Sequence, residues 1–169
     1  MSILIKSATV VTQNANREII DNCDIFINNN KIEAIGKNIN EKAEFIVDAK
    51  NKIAIPGLIN AHTHVAMTLL RGLGEGLPLE RWLKERIWPA EAKLKPSDVY
   101  EGAMLGINEM LQSGVTCFND MYLAGVDEIA KACEKSGIRG SLSDAVINMT
   151  GHDVKRAVGF AERWKGKSE

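Results

Sequence analysis

The stretch "IPGLINAHTHVAMTLLRG", residues 55–72, contains two of the three histidines in the chain. His62 and His64 stand one residue apart at the end of an apolar run. Residues i and i+2 of a β-strand point to the same face, so a strand ending here would place both imidazoles side by side. Two such imidazoles can bind one Zn²⁺ at about 2.0–2.1 Å. The stretch predicts part of a metal site, and the alternative is a pair of ordinary surface or core histidines.

Around this stretch, residues 53–169 alternate between strand and helix signals. The nearly continuous apolar segment "KIAIPGLINAH" predicts a strand buried on both faces. "VTCFNDMY" and "IRGSLSDAVIN" predict two more strands, with helices in "PSDVYEGAMLGINEMLQSG", "GVDEIAKACEKSG" and "HDVKRAVGFAERW". This alternation predicts a parallel sheet with right-handed crossovers. We expect the third histidine, His152, to be a surface residue at the start of the last helix.

Residues 1–52 predict a separate, small, strand-rich domain of the β-sandwich type. The apolar segments "ILIKSATVV", "DIFINNNKIEAIG" and "EFIVDA" have the composition of antiparallel strands. Asn tolerates positive φ, so the run Asn28-Asn29-Asn30 predicts a hairpin turn. Three or four short strands need a further layer to pack against.

Composition narrows the range of functions. The 169 residues carry a net charge of −1 with both signs intermixed, which does not favour nucleic acid as a partner. No apolar run approaches 18 residues, so no membrane segment is expected. The broken apolar N-terminus predicts a strand and not a signal peptide. The three cysteines are far apart in the sequence and odd in number: Cys23, Cys117 and Cys133. This pattern favours free thiols in a reducing cytoplasm over a disulfide framework.

The motif "PGLINAHTH" (56–64) resembles the signature Pro-Gly-Leu-Ile-(Asp/Asn)-x-His-x-His of the metal-dependent amidohydrolases. The following segment "HVAMTLLRGLGEGLPLERWLKERIWPAEAKL" (64–94) closely resembles 5-methylthioadenosine/S-adenosylhomocysteine deaminases, including the 5′-deoxyadenosine deaminases of methanogens. The resemblance implies a TIM (β/α)₈ barrel. A closed barrel takes about 250 residues, so residues 53–169 would supply about three βα units of an N-terminal fragment.

The resemblance also implies roles for individual residues. His62 and His64 would be ligands of one Zn²⁺ per active site. The remaining ligands and the proton-shuttling residues would lie beyond Glu169, so no catalytic residue is expected within the chain. Glu91 in "WPAEAKL" would bind substrate by accepting hydrogen bonds from ribose hydroxyls, or else be a solvated helix charge. Four apolar residues could line the pocket or pack in the core: Met67, Leu70, Trp82 and Trp88.

The implied activity is zinc-dependent hydrolytic deamination of adenine nucleosides by a cytoplasmic homo-oligomer. The substrates would be 5′-deoxyadenosine, 5′-methylthioadenosine, S-adenosylhomocysteine or adenosine, and the products an inosine-type nucleoside and ammonia. Asp144 stands where an arginine would bind a substrate carboxylate, which makes S-adenosylhomocysteine less expected. The fragment alone is expected to be inactive. The alternatives are another amine or amide substrate (guanine, a triazine or a cyclic imide), or a non-catalytic barrel fragment.

Overall fold

The computed structural model describes residues 1–123, 125–147 and 153–167, so His152 lies outside the described residues. The chain divides into two compact units, Met1–Pro56 and Gly57–Glu169. This division falls after Pro56 and not after residue 52, because Ile53–Ala54 pairs with the first strand of the N-terminal unit.

The N-terminal unit is a sheet of five strands. Their bounds are β1 Ser2–Val11, β2 Ile19–Asn28, β3 Lys31–Gly36, β4 Phe45–Asp48 and β5 Ile53–Ala54. The strand order is β3-β2-β1-β4, with β5 also beside β1. The predicted hairpin between β2 and β3 is confirmed, and Asn29 in its turn has a φ of 54°.

The prediction of antiparallel pairing holds for only part of this sheet. β1 pairs antiparallel with β2, and β2 with β3, but β4 and β5 both run parallel to β1. Two successive antiparallel pairings give β3 the same direction as β1. Residues 37–44 then return along the sheet before β4 begins, so β4 also enters in the direction of β1. The correct description is a mixed sheet.

Asp24 ties β1 and β2 to the segment that follows β3. Its buried carboxylate accepts hydrogen bonds from the Lys6 ammonium, from the Ser7 backbone N–H at 2.9 Å and from the Ile39 backbone N–H at 3.0 Å. Ser7 has a φ of 61° and lies where the register of β1 shifts between Ile5 and Ala8. Asp24 therefore fixes a bulge in the central strand.

The C-terminal unit combines three parallel strands with helices, which confirms the predicted α/β class. The strands, in the order β6-β7-β8, are β6 Leu58–Thr63, β7 Val115–Tyr122 and β8 Arg139–Asp144. Between β6 and β7 lie a 3₁₀ helix Val65–Leu70, α1 Leu79–Trp82, a π-helical turn Leu83–Ile87, α2 Trp88–Glu91 and α3 Pro96–Gln112. Helix α4, Val126–Ser136, joins β7 to β8, and α5, Val154–Trp164, follows β8.

The segment "KIAIPGLINAH" is not one strand, contrary to the prediction. Its first part forms β5 in the N-terminal unit, and its second part forms β6 in the C-terminal unit. Pro56 lies between them, where its missing N–H and fixed φ interrupt strand pairing. The expected burial on both faces is also wrong, because Leu58 and Ile59 of β6 are exposed.

Helix α3 packs the way its sequence predicts. Val99, Ala103, Ile107 and Met110 lie on one buried face, in a core with Phe118 of β7 and Ile129 of α4. Gly114, with a φ of 84°, follows the end of α3 as predicted. None of the helices in the described part of the chain is long and apolar enough to cross a membrane.

Candidate metal and substrate site

The two histidines lie together at the carboxyl end of β6. His62 belongs to β6, and His64 follows immediately after the strand ends at Thr63. Their ring centroids are 5.2 Å apart, with an interplanar angle of 75°. Two imidazoles that share one tetrahedral zinc have centroids about 5 Å apart, given zinc–nitrogen distances of about 2.0–2.1 Å. The spacing of the pair therefore fits a single metal ion.

The imidazole of His64 is held in one tautomer by β7. Its Nδ1 lies 2.8 Å from the backbone oxygen of Met121. A carbonyl can only accept, so Nδ1 carries the proton in this hydrogen bond and Nε2 keeps its lone pair. Metal-binding histidines are commonly oriented through the second ring nitrogen in this way. In the neutral ring, the hydrogen bond to the Met121 carbonyl thus leaves the lone pair of Nε2 available to a cation.

Asp120 is a buried carboxylate beneath the histidine pair. Its Oδ2 accepts a hydrogen bond from the Val65 backbone N–H at 2.8 Å, which anchors the residue that follows His64. Its Oδ1 lies 4.0 Å from Nδ1 of His64 and has no hydrogen-bond partner among the described residues. Burial raises the pKa of Asp120, although the Val65 N–H, the Thr63 hydroxyl and the two imidazoles act in the opposite direction. This unbalanced negative charge fits a site that binds a cation nearby.

Helix α3 lets the segment after His64 approach closely. A Cβ added to Gly102 would lie 2.6 Å from the backbone oxygen of Ala66, and one added to Gly106 would lie 2.7 Å from Cγ2 of Val65. Both distances are shorter than a carbon atom tolerates. Because these positions are glycine, the 3₁₀ helix after His64 packs directly against α3. This contact restricts the position of His64.

Glu91 connects to the same end of β7. The hydroxyl of Tyr122 donates a hydrogen bond to Oε1 of Glu91 at 2.8 Å. The ring of Tyr122 is buried, and its centroid lies 6.5 Å from that of His64. Burial and then the Glu91 carboxylate raise the pKa of Tyr122, so the phenol keeps its proton and acts as the donor. Glu91, Tyr122 and His64 therefore form one contiguous group.

The glycine-rich loop after the 3₁₀ helix borders an open pocket of about 510 Å³. Met67, Leu70 and Trp82, three of the four apolar residues considered for the pocket, line it. The indole N–H of Trp82 donates to the backbone oxygen of Leu73 at 2.8 Å, which closes the loop on itself. Trp88 does not belong to this lining and is partly exposed.

Asp144 lies at the carboxyl end of β8, buried like Asp120 but with a cation beside it. Its Oδ2 is 2.6 Å from Nε of Arg156 in α5, and Arg156 also donates to the backbone oxygen of Leu123. The ends of β6, β7 and β8 thus all carry polar side chains. Parallel α/β sheets commonly bind ligands outside the carboxyl ends of their strands, so this edge is the candidate site.

The described residues contain no group of three or more His, Cys, Asp and Glu side chains arranged to hold a metal. They supply two imidazoles, whereas a zinc site in a protein uses three or four ligands from the chain. Sequence reasoning missed Asp120 and Tyr122. The available signal was their alternation with Phe118 in "VTCFNDMY", which puts an acid and a phenol on the buried face of a strand.

Residues 53–169 match the family described as "Amidohydrolase family". The chain belongs to the amidohydrolase family. It is 46% identical over 168 residues to a 5-methylthioadenosine/S-adenosylhomocysteine deaminase of Dictyoglomus turgidum, covering 97% of this chain and 38% of that protein. It is 44% identical over 163 residues to a 5′-deoxyadenosine deaminase of Methanothrix thermoacetophila, covering 96% of this chain and 38% of that protein.

A solved structure is similar to this chain over nearly its whole length. An adenosine deaminase from Xanthomonas campestris with bound zinc superposes with a TM-score of 0.82 at 30% identity, covering 97% of this chain and 40% of that one. The chain therefore spans about two fifths of the length of the proteins it matches. The family predicted from residues 56–94 is confirmed.

Proposed function

We propose that the full-length protein is a zinc-dependent hydrolase that deaminates adenine nucleosides to inosine-type products and ammonia. In this proposal the chain contributes two zinc ligands, His62 and His64, and one substrate-binding carboxylate, Glu91. The observation that carries the proposal is that His64 and Glu91 are both hydrogen-bonded to the last two residues of β7. The deaminases among its relatives support the same reaction class.

The histidines bind and orient in this scheme, and they do not transfer protons. His64 donates a hydrogen bond from Nδ1 to the Met121 carbonyl, which leaves its Nε2 available to the metal. The ring of His62, at the end of β6, lies 5.2 Å from that of His64. Zinc, when bound, supplies a Lewis acid that activates water at neutral pH. Asp120 adds a fixed negative charge beneath the pair, which favours retention of a divalent cation.

Glu91 selects the nucleoside. A carboxylate is an acceptor-only group with two oxygens, which suits the two neighbouring hydroxyls of a ribose. Tyr122 occupies one lone pair of Oε1 and leaves the other acceptor positions of the carboxylate available. Met67, Leu70 and Trp82 form the apolar part of a pocket that Arg71 and Glu75 also line. We propose that this apolar part takes an uncharged 5′ group, as in 5′-deoxyadenosine and 5′-methylthioadenosine. Asp144 supplies no positive charge for the carboxylate of S-adenosylhomocysteine, so we expect that nucleoside to bind less well than the smaller ones.

The proposal includes the architecture of the complete protein. The sheet β6-β7-β8 would be the first three strands of a (β/α)₈ barrel within residues 57–169, and the sheet of residues 1–56 would be one layer of a β-sandwich domain. The further zinc ligands and the proton-shuttling residues would follow Glu169. The full-length protein would be a cytoplasmic homo-oligomer, and the 169-residue chain by itself would release no ammonia.

The test is an ammonia-release assay of the zinc-loaded full-length protein with adenosine, 5′-deoxyadenosine, 5′-methylthioadenosine, S-adenosylhomocysteine, guanine and a triazine. We expect activity on the nucleosides. We expect Glu91→Gln to raise the KM for nucleosides about tenfold or more, because a charged acceptor is lost, while bound zinc is unchanged. Glu101→Gln, at an exposed position of α3, is the matched control. Activity restricted to guanine or the triazine, or an unchanged KM in Glu91→Gln, would contradict the proposal.

A further inference from the structure

Tyr122 has a position that the proposed reaction leaves unexplained. Its side chain is buried, with 4% exposure, in the core formed by α3, β7 and α4, yet its hydroxyl reaches Oε1 of Glu91 at 2.8 Å. Among the described residues this hydroxyl is the one hydrogen-bond donor to the Glu91 carboxylate. A long acidic side chain is therefore attached to the protein core at a single point.

The backbone around Glu91 gives it little support of its own. Glu91 is the last residue of α2, a helix of four residues that follows the π-helical turn Leu83–Ile87. A glutamate side chain has several rotatable bonds, and an ordered conformation has to be imposed by its contacts. The phenol of Tyr122 imposes it, because the ring is packed on all sides and its hydroxyl cannot follow a moving carboxylate.

From these contacts we infer that Tyr122 is a positioning residue, which fixes the Glu91 carboxylate for binding ligand hydroxyl groups beside the histidine pair. The inference rests on the proposed function in taking a nucleoside as the ligand. The ring of Tyr122 lies 6.5 Å from that of His64, so the same side chain sets the distance between the carboxylate and the metal-binding imidazoles. Tyr122 acts through Glu91 and does not itself contact the ligand.

The inference makes a prediction that a purely structural role does not share. If Tyr122 only filled the core, its substitution would weaken the binding of every ligand equally. If Tyr122 positions Glu91, its substitution weakens the binding of ligands with ribose hydroxyls and leaves the binding of ligands without them unchanged. The chain contains two tyrosines, and Tyr100 on α3, which packs against the same core, provides the matched control.

The experiment measures dissociation constants of adenosine and 2′,3′-dideoxyadenosine for the zinc-free full-length protein by titration calorimetry, so that no turnover occurs. The variants are Tyr122→Phe, Glu91→Gln, the double variant and Tyr100→Phe. We expect Tyr122→Phe to weaken adenosine binding about tenfold, because the variant loses the hydrogen bond to the charged Glu91 carboxylate. Binding of the dideoxy compound should stay within about twofold. In the Glu91→Gln background, Tyr122→Phe should cause no further loss.

The inference would be overturned if Tyr122→Phe weakened binding of both ligands equally or of neither. It would also be overturned if the loss of adenosine affinity were undiminished in the Glu91→Gln background, or if the protein did not bind adenosine at all. Should Tyr122→Phe fail to fold, 3-fluorotyrosine placed at position 122 keeps the hydroxyl. Its ¹⁹F resonance should then shift with adenosine and not with 2′,3′-dideoxyadenosine, and the absence of that difference overturns the inference. Adenosine binding with the expected pattern, but without ammonia release from the zinc-loaded protein, would contradict the proposed function and leave the inference standing.

Discussion

Two buried aspartates, one in each unit of the chain, have opposite surroundings. Asp24 in the N-terminal sheet is 3% exposed, and Asp120 in β7 is 2% exposed. Asp24 receives hydrogen bonds on both carboxylate oxygens, including one from the Lys6 ammonium. Asp120 receives one from the Val65 N–H, and its Oδ1 has no hydrogen-bond partner in the described part of the chain.

The pKa values of the two carboxyls move in opposite directions. Burial acts to raise the pKa of Asp24, but the hydrogen bonds from Lys6, Ser7 and Ile39 outweigh it and the pKa lies below its usual value. Burial also raises the pKa of Asp120, and there it prevails. A fully satisfied buried carboxylate stabilises the fold, whereas an incompletely satisfied one commonly marks a functional site. Burial alone therefore does not separate structural from functional acids, and the count of donors does.

The largest effect that this comparison predicts is on the stability of the N-terminal unit. Asp24→Ala leaves the Lys6 ammonium and two partly buried N–H groups without their acceptor, and should cost about 3 kcal/mol of unfolding free energy. Hydrogen exchange of residues 1–56, followed by mass spectrometry, measures this locally. Asp21→Ala, at an exposed position of β2, should cost much less. Equal losses of unfolding free energy in the two variants would show that the hydrogen bonds to Asp24 add no stability beyond that of an exposed aspartate.

The next effect concerns metal binding. Asp120→Asn keeps an acceptor for the Val65 N–H and removes the unbalanced charge, so stability should change by about 1 kcal/mol or less. Zinc affinity of the full-length protein, measured by competition with a chelator, should fall about 10- to 100-fold, as for other residues that orient metal ligands. Asp144→Asn is the control, because that carboxylate is paired with Arg156. An unchanged affinity in Asp120→Asn would make Asp120 a structural residue like Asp24.

How far the sequence predicts this site depends on the kind of signal each residue gives. His62 and His64 are recognisable because a two-residue spacing at the end of a strand predicts that both side chains point the same way. Helix α3 and its buried face are equally predictable, since a 17-residue amphipathic segment with a glycine stop has a single consistent interpretation. These features depend on neighbours in the sequence.

Asp120 and Tyr122 could not be predicted in the same way, because their partners are distant in the sequence. Val65 is 55 residues from Asp120, and Glu91 is 31 residues from Tyr122. The same limit explains the error over β4. Its amino acids favour a strand, but its direction relative to β1 depends on how residues 37–44 cross the sheet. Local patterns specify elements, and long-range contacts specify how those elements form a site.

The smallest predicted effect is a pH dependence that belongs to Asp24. Because its pKa is lower in the folded state than in the unfolded state, the ionised carboxylate adds stability above the unfolded pKa of about 3.9. That contribution should be lost as the pH falls below 3.9 and through the folded pKa. Asp24→Asn cannot ionise, so urea unfolding followed by circular dichroism at pH 2–7 should show a smaller acid-induced loss in the variant than in the wild type. If unfolding free energy fell equally with pH in the two proteins, Asp24 would have the same pKa in the folded and unfolded states. The contrast with Asp120 would then rest on hydrogen-bond geometry alone.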